Sequence, residues 1–158
     1  LDARIAWNRD LGNDRSIGLD LNGSWLRSRQ TITSELPEVQ LAGTTFNPPR
    51  YRARGAARYR AGRLTANAAV SYIGALVDRR LATVQRLSPS ATVDLGMRYA
   101  VIRGDDRDPG LEFSLTIQNL FNDKPDVIGQ TGPNTTPYDS TNYSPIGRFI
   151  AFGVRRHW

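Results

Sequence analysis

Ile146-Gly-Arg-Phe-Ile-Ala-Phe-Gly-Val-Arg-Arg-His-Trp158 alternates apolar with small or polar side chains and stops on an aromatic. Strand side chains repeat with period two, so Ile150, Phe152, Val154 and Trp158 share one face. Gly147, Phe149, Ala151, Gly153, Arg155 and His157 share the other. One greasy face, one small-or-polar face and a final aromatic describe the closing strand of an outer-membrane β-barrel. An amphipathic strand of a soluble sheet carries the same alternation, so the rest of the chain has to decide.

Working back from that stretch, nearly every segment reads as strand and none holds a helical period. Phe113, Leu115 and Ile117 oppose Glu112, Ser114, Thr116 and Gln118. Ala91, Val93, Leu95, Met97, Tyr99 and Val101 oppose Thr92, Asp94, Gly96 and Arg98. Leu64, Ala66, Ala68, Val70 and Tyr72 oppose Thr65, Asn67, Ala69 and Ser71. Tyr51, Ala53, Gly55, Ala57 and Tyr59 alternate with Arg50, Arg52, Arg54, Ala56, Arg58 and Arg60. Ile17, Leu19, Leu21, Gly23 and Trp25 alternate with Ser16, Gly18, Asp20, Asn22 and Ser24. Ala3, Ile5 and Trp7 against Asp2, Arg4, Ala6 and Asn8 complete the set. The expected fold is all-β: an antiparallel up-and-down meander of about seven long strands.

The connections sort by length. Asp10–Arg15, Ala61-Gly62 and Ile102–Gly110 are short, whereas Ile32–Pro49, Ala75–Pro89 and Phe121–Pro145 are long, and the two kinds alternate. Neighbours joined in order then place the short turns at one end and the long loops at the other. Outer-membrane barrels have this asymmetry. Soluble sheets have no physical reason for it. The strands are expected to be about ten residues or longer, matching the ~9–11 that a tilted strand needs to cross a bilayer. Aromatics (Tyr51, Tyr59, Tyr72, Tyr99, Trp158, with Trp7 and Trp25) fall near strand ends on the apolar face, where interfacial girdles form. That face is also rich in Ala and Gly, thin for a globular core but adequate against lipid.

Composition narrows the chemistry. No cysteine is present, and His157 is the one histidine of 158 residues, so disulfides, thiolate metal sites and histidine clusters are excluded. No apolar run reaches the ~18–20 residues of a membrane helix. The chain opens on Leu1-Asp-Ala-Arg with neither an initiator Met nor a charged-then-apolar leader, and so reads as a piece of something longer. A net charge of +6 raises the question of nucleic acid, yet Lys124 is the only lysine and the remaining basic residues are arginine.

Three blocks resemble the C-terminal part of the TonB-dependent outer-membrane receptor family. Ala42-Gly-Thr-Thr-Phe-Asn-Pro-Pro-Arg-Tyr-Arg-Ala-Arg54 is similar to its loop-then-strand run. Thr116-Ile-Gln-Asn-Leu-Phe-Asn-Asp-Lys-Pro125 resembles its Asn-Leu-Phe-Asp pattern through Asn119, Leu120 and Phe121. Tyr143-Ser-Pro-Ile-Gly-Arg-Phe149 resembles its Gly-Arg signature, Gly147 and Arg148, before a terminal aromatic. The resemblance spans roughly Asp20 to Trp158 and implies part of a transmembrane barrel of about 22 strands. It implies the bacterial outer membrane, and uptake of a scarce nutrient of the siderophore-iron, cobalamin or saccharide class. Implied partners are the lipid bilayer, the family's own plug domain, TonB and the barrel-assembly machinery. Ile150, Phe152, Val154 and Trp158 would be the assembly signal, by strand addition. The departures are Trp158 in place of the usual Phe, Arg156 on the lipid side, and no plug domain or TonB-contacting segment in this sequence.

Arg50, Arg52, Arg54, Arg58 and Arg60 lie on one strand face as candidate lumen-facing groups for an anionic ligand or plug carboxylates. The simpler expectation is that Asp20, Asp94 and Glu112 on neighbouring strands neutralise them, because a like-charge ladder needs countercharge. Tyr51 and Tyr59 point the other way, which argues against a stacking nucleic-acid surface. Asp105-Asp-Arg-Asp108 lacks the spacing of a calcium loop. No nucleophile has a histidine partner and no acid/base pair is defined, so neither an enzyme nor a cofactor is expected. The competing reading is a soluble arginine-rich β domain that binds nucleic acid or another polyanion. A passive porin or adhesin barrel is a third.

Deleting Trp158 is expected to lower outer-membrane assembly, measured as the heat-modifiable fraction in isolated membranes; unchanged assembly would remove the signal assignment.

Overall fold

The alternating segments become strands at the expected places, and their apolar positions line up from strand to strand. In the computed structural model, which describes residues 1–31, 37–102 and 110–156, eleven strands are defined. They are β1 (Asp2–Gly12), β2 (Arg15–Trp25), β3 (Arg29–Gln30), β4 (Val39–Gln40), β5 (Tyr51–Ala61) and β6 (Leu64–Ile73). After these come β7 (Leu76–Asp78), β8 (Gln85–Leu87), β9 (Ser90–Ile102), β10 (Leu111–Gln118) and β11 (Phe149–Arg156). Seven of them form one antiparallel meander, β1-β2-β5-β6-β9-β10-β11. No helix is present among the described residues.

Register decides which side chains meet. Trp7 faces Leu19, Leu19 faces Ala57, Ala57 faces Ala68, Ala68 faces Leu95, Leu95 faces Ile117 and Ile117 faces Ile150. One apolar row thus crosses all seven strands; the next runs Ile17, Tyr59, Ala66, Met97, Leu115 and Phe152 with Arg9 at its β1 end, and that through Ile5, Leu21, Gly55, Val70 and Val93 ends at β9. Phe113 and Phe152, diagonal neighbours across β10 and β11, stack with centroids 6.0 Å apart. Such continuity normally means a covering layer, because exposing apolar surface costs about 25 cal/mol per Å². Nothing in the described structure covers it: Ile5 is 67 % exposed, Leu21 53 % and Phe152 69 %.

The buried hydrophobic cluster sits elsewhere. Leu76, Leu87 and Ile128 are essentially inaccessible, with Phe46 and Tyr143 packed against them. All five come from the long connections, which therefore fold together into a cap at one end of the sheet. The two-stranded ribbons β3-β4 and β7-β8 stiffen it, and Thr44 bridges Val77 in parallel. At the opposite end Gly62 N–H donates to Asp14 C=O, joining two short turns. The expected sorting of loops by length is present for the four connections wholly within the described residues and for the described part of a fifth. The sixth, Ile102–Gly110, falls mostly outside them with Asp105–Asp108, as do part of Ile32–Pro49 and both His157 and Trp158.

The sheet is open: β1 and β11 each have a single strand partner. One expectation changes: the last strand begins at Phe149 rather than Ile146. Arg148 N–H donates to Asn122 Oδ1 and Arg148 Nη1 to Leu120 C=O, which hold Gly147 and Arg148 in the loop instead of the ladder.

Polar bolts fasten the cap. Asp139, fully buried, accepts from the backbone N–H of Phe46 at 3.0 Å, of Thr141 and of Asn142, and from Asn142 Nδ2. Arg80 reaches all three long loops. It donates to Asp78 through Nε and Nη2 and to Gly129 C=O, and its guanidinium lies 4.7 Å from the Phe46 ring centroid. Arg80 holds the Asp78 carboxyl below its ordinary value of 3.8, against the opposing effect of burial. A carboxyl lowered in the fold stabilises above its ordinary value and loses that contribution as pH falls through the lowered one. Arg80→Ala is expected to open the cap and speed protease cleavage within the long loops about tenfold, with strand circular dichroism unchanged. Acidification below pH 3.8 should bring the parent protein toward the variant. Equal cleavage of the two at neutral pH would refute the bolt.

Candidate functional site

Two surfaces and a cleft compete as functional features, and the backbone alternation makes all three. The first surface is the apolar face, with alternate residues of seven strands and aromatics in two bands. Trp25 pairs with Tyr51 near the loop end, with Tyr72 one row in. Tyr59 and Tyr99 lie toward the short-turn end. Eight residues separate Tyr51 from Tyr59, ~26 Å along the strand at ~3.3 Å per residue. With the ~35–45° tilt of barrel strands that is on the order of 20 Å of height, near the ~25 Å apolar band of outer-membrane barrels. Between the bands, Ala57, Ala66 and Ala68 leave a trough of 380 Å³ flanked by Ile17, Leu95 and Met97. Ile150, Phe152 and Val154 project from this face on the outer strand β11, all exposed.

The opposite surface carries the arginines. Arg52, Arg54, Arg58 and Arg60 are exposed along one side of β5. Arg50 does not join them: it precedes the strand, its Nε donates to Ala42 C=O and its side chain packs over Gly43. Gly43, at φ +83°, could not accept a Cβ there, because that atom would come 2.8 Å from Arg50 Cγ. The expected countercharges are also differently placed. Asp20 lies opposite Ala56, between two arginines, and binds Arg4 on β1 at 2.6 Å instead. Asp94 accepts the backbone N–H of Asn119. Among the described residues no ion pair forms between a carboxylate and any of the four arginines.

The cleft lies where the cap leans over this polar face. It has a volume of 380 Å³ and is lined from the sheet by Ser71, Thr92 and Asp94, and from the last long loop by Asn119, Lys124 and Tyr143. The Tyr143 hydroxyl is buried without a hydrogen-bond partner. Burial first, then Asp139, Asp126 and Asp123, pushes its pKa up to about 12, and Arg52 opposes them. It therefore stays a neutral O–H donor throughout the physiological range.

The motif residues singled out from sequence converge at the base of the cap. Asn119 and Asn122 adopt left-handed φ values of 50° and 58°. Asn119 closes a tight clamp, its Nδ2 donating to Asp123 C=O at 2.7 Å and its Oδ1 accepting Asp123 N–H at 2.9 Å. Leu120 N–H donates to Val93 C=O, fixing the clamp to β9. Asn122 reaches across the loop to Arg148, so close to Gly147 that a side chain there would collide with it. Phe121 points outward, 72 % exposed. The first motif block joins the same assembly: Phe46 donates to Asp139, and Asn142 Nδ2 donates to Asn47 C=O. Sequence reasoning missed Asp78, Arg80 and Asp139, and it quoted Tyr143 only as the start of a motif block. The run Asp139-Ser-Thr-Asn142 is a local turn signal, but its partner 93 residues away is not encoded locally.

No cluster of His, Cys, Asp or Glu among the described residues could hold a metal. The arrangement can bind through hydroxyls, amides and guanidinium groups, and it can meet lipid.

Asn119→Ala is expected to destabilise the chain by about 2 kcal/mol, through two lost bonds and an alanine forced into left-handed backbone. Asn119→Gly should recover the backbone part only. Urea unfolding in detergent measures both, and equal stability of the two variants would show the conformation to be irrelevant.

Compared with known proteins, the chain matches no family model, no curated protein and no solved structure.

Proposed function

We propose that this chain is a stretch of the wall of a TonB-dependent receptor barrel in the bacterial outer membrane, with the loop cap at the external end. It works in the energised uptake of a scarce nutrient of the siderophore-iron, cobalamin or saccharide class. The observation that carries this reading is the inversion of the sheet. Its continuous apolar face is bare, while the cap with its buried cluster leans over the polar side. A soluble domain gains stability by covering the face that is bare here. A membrane wall leaves that face to the lipid.

Each part then has a role. The apolar rows meet the bilayer, and Trp25, Tyr51, Tyr72, Tyr59 and Tyr99 anchor its two interfaces. The polar face looks into the lumen toward the plug domain. Contact with TonB belongs to that plug rather than to the wall. Ile150, Phe152, Val154 and Trp158 present the edge that the barrel-assembly machinery recognises. The chain performs no catalytic step and holds no cofactor. Gly147 and Arg148 brace the loop at the point where the last strand begins, which gives the family-like signature a structural purpose. The competing reading, a soluble polyanion-binding domain, has the exposed arginines in its favour. It leaves unexplained why Ile5, Leu21 and Phe152 face water.

Cell fractionation with an antibody against Asn142–Trp158 tests the proposal. The expected result is an outer-membrane band several times the 17.6 kDa of this chain. A soluble band at the chain's own mass would sink it.

A further inference from the structure

The column of arginines on β5 stands among neutral neighbours. Arg52 faces Ser24 and Ile73 across the two adjacent strands, and Arg54 faces Asn22 and Ser71. Arg58 faces Gly18 and Asn67, and Arg60 faces Ser16 and Thr65. Every direct cross-strand neighbour is a hydroxyl, an amide, a glycine or an isoleucine. The nearest carboxylate in register, Asp20, already accepts from Arg4 through Oδ2 and from Asn22 through Oδ1. Arg98 stands two strands away in the Arg60 row, joined through Thr65.

Alternate residues on a strand are ~6.7 Å apart, so four guanidinium groups follow one another over ~27 Å, with Ala56 as the single gap. Carboxylates stand near the column without joining it: Asp10 and Asp2 lie two strands away in the Arg60 and Arg52 rows, and Asp20 lies diagonal to Arg54 and Arg58. Among the described residues none forms an ion pair with these arginines, so their mutual repulsion is only partly offset. A guanidinium pairs best with a carboxylate or phosphate, through two parallel N–H···O bonds, and flanking hydroxyls and amides can complete the shell. Arg54 shows the pattern in part, with Nη1 donating to Ser71 Oγ at 2.9 Å.

The column also has a defined upper end. Ile73 and Ser71, the register partners of Arg52 and Arg54, line the 380 Å³ cleft beneath the cap; Lys124 lines it from the loop beside Asp123, and Asp94 from the sheet, where it is occupied by the backbone N–H of Asn119. Arg52 is near enough to act on the Tyr143 phenol. A space of that size admits a small molecule and excludes a folded polypeptide. From there the arginines continue toward the short-turn end.

We propose that Arg52, Arg54, Arg58 and Arg60, with Arg98 beside them, form a track for a small ligand bearing several carboxylate or phosphate groups. The ligand enters beside the capped cleft and is handed along the wall from one guanidinium to the next. This deepens the transport reading and rests on it, by assigning the cargo an anionic class.

The test uses the full chain Leu1–Trp158 folded in zwitterionic detergent and titrated calorimetrically with citrate and, separately, pyrophosphate. Saturable binding of at least one probe is expected, weakening as salt rises. The triple variant Arg54→Gln/Arg58→Gln/Arg60→Gln should weaken it about tenfold and flatten its salt dependence. The corresponding triple lysine variant should fall between, because point charges replace forks. Arg86→Gln, on the β8 ribbon away from the column, should change nothing. If the triple variant does not fold, Arg58→Gln alone should weaken binding about threefold. Absence of saturable binding by either probe, or unchanged affinity in the glutamine variants, overturns the track. Displacement of both probes by a glutamate-rich peptide that binds more tightly overturns the small-ligand assignment in favour of an acidic polypeptide. The two readings fail separately. A chain found in the outer membrane that binds neither probe loses only the track, and a soluble chain that binds them loses the transport setting.

Discussion

A seven-stranded sheet with one continuous apolar face and nothing packed on it depends on what its surroundings supply. The row from Trp7 through Leu19, Ala57, Ala68, Leu95 and Ile117 to Ile150 is complete, so the sequence has invested in a face that the chain itself never buries. In water such a face drives association. In a bilayer it is neutral or favourable, and the backbone hydrogen bonds of the meander become stronger for want of competing water. The tolerance of small residues on that face follows from the same condition. Ala57, Ala66 and Ala68 would leave voids in a protein core. In a bilayer, fluid acyl chains would fill the same trough.

Because the sheet lends no core, the cap has to build its own. Three connections of different length converge on Leu76, Leu87 and Ile128, and polar side chains do the joining. Asp139 takes its donors from two loops, and Arg80 spans three. Buried charge of this kind is tolerated because it is fully hydrogen-bonded. Its consequence is mechanical: the cleft under the cap has one wall fixed to the sheet at Asn119 and Leu120, and another fixed by Arg80. The polar wall below is therefore presented in a constant geometry to whatever passes beneath the cap.

Local periodicity made the sheet legible. The seven long strands, their faces and the sorting of turns by length all follow from alternation and from Gly, Pro and Asn punctuation, which act within a few residues. What stayed hidden depended on contacts between distant segments. Asp20 was expected to serve the β5 arginines, but the register sets it against Ala56 and within reach of Arg4. The closing strand was expected from Ile146, and a clamp 26 residues earlier holds Arg148 out of the ladder. Asn119 and Gly147 could be singled out as motif residues. Their meeting through Asn122 needed coordinates.

Strand parity limits what can complete the wall. In an antiparallel meander the first and seventh strands run in the same direction, and here both β1 and β11 descend from the loop end to the short-turn end. Each leaves one edge of backbone donors and acceptors unpaired, which hydrocarbon does not tolerate. A second copy in the same membrane orientation would bring β11 beside a β1 running parallel to it, against the antiparallel rule of such barrels. A copy inverted by a two-fold axis in the membrane plane would restore antiparallel pairing but place its cap on the opposite side. Closure with all caps on one side therefore requires an odd number of further strands between β1 and β11. Added to seven, an odd number gives the even total found in bacterial barrels. Under the proposed barrel reading, the open sheet would be one arc of a larger wall, joined to the rest at its two edges.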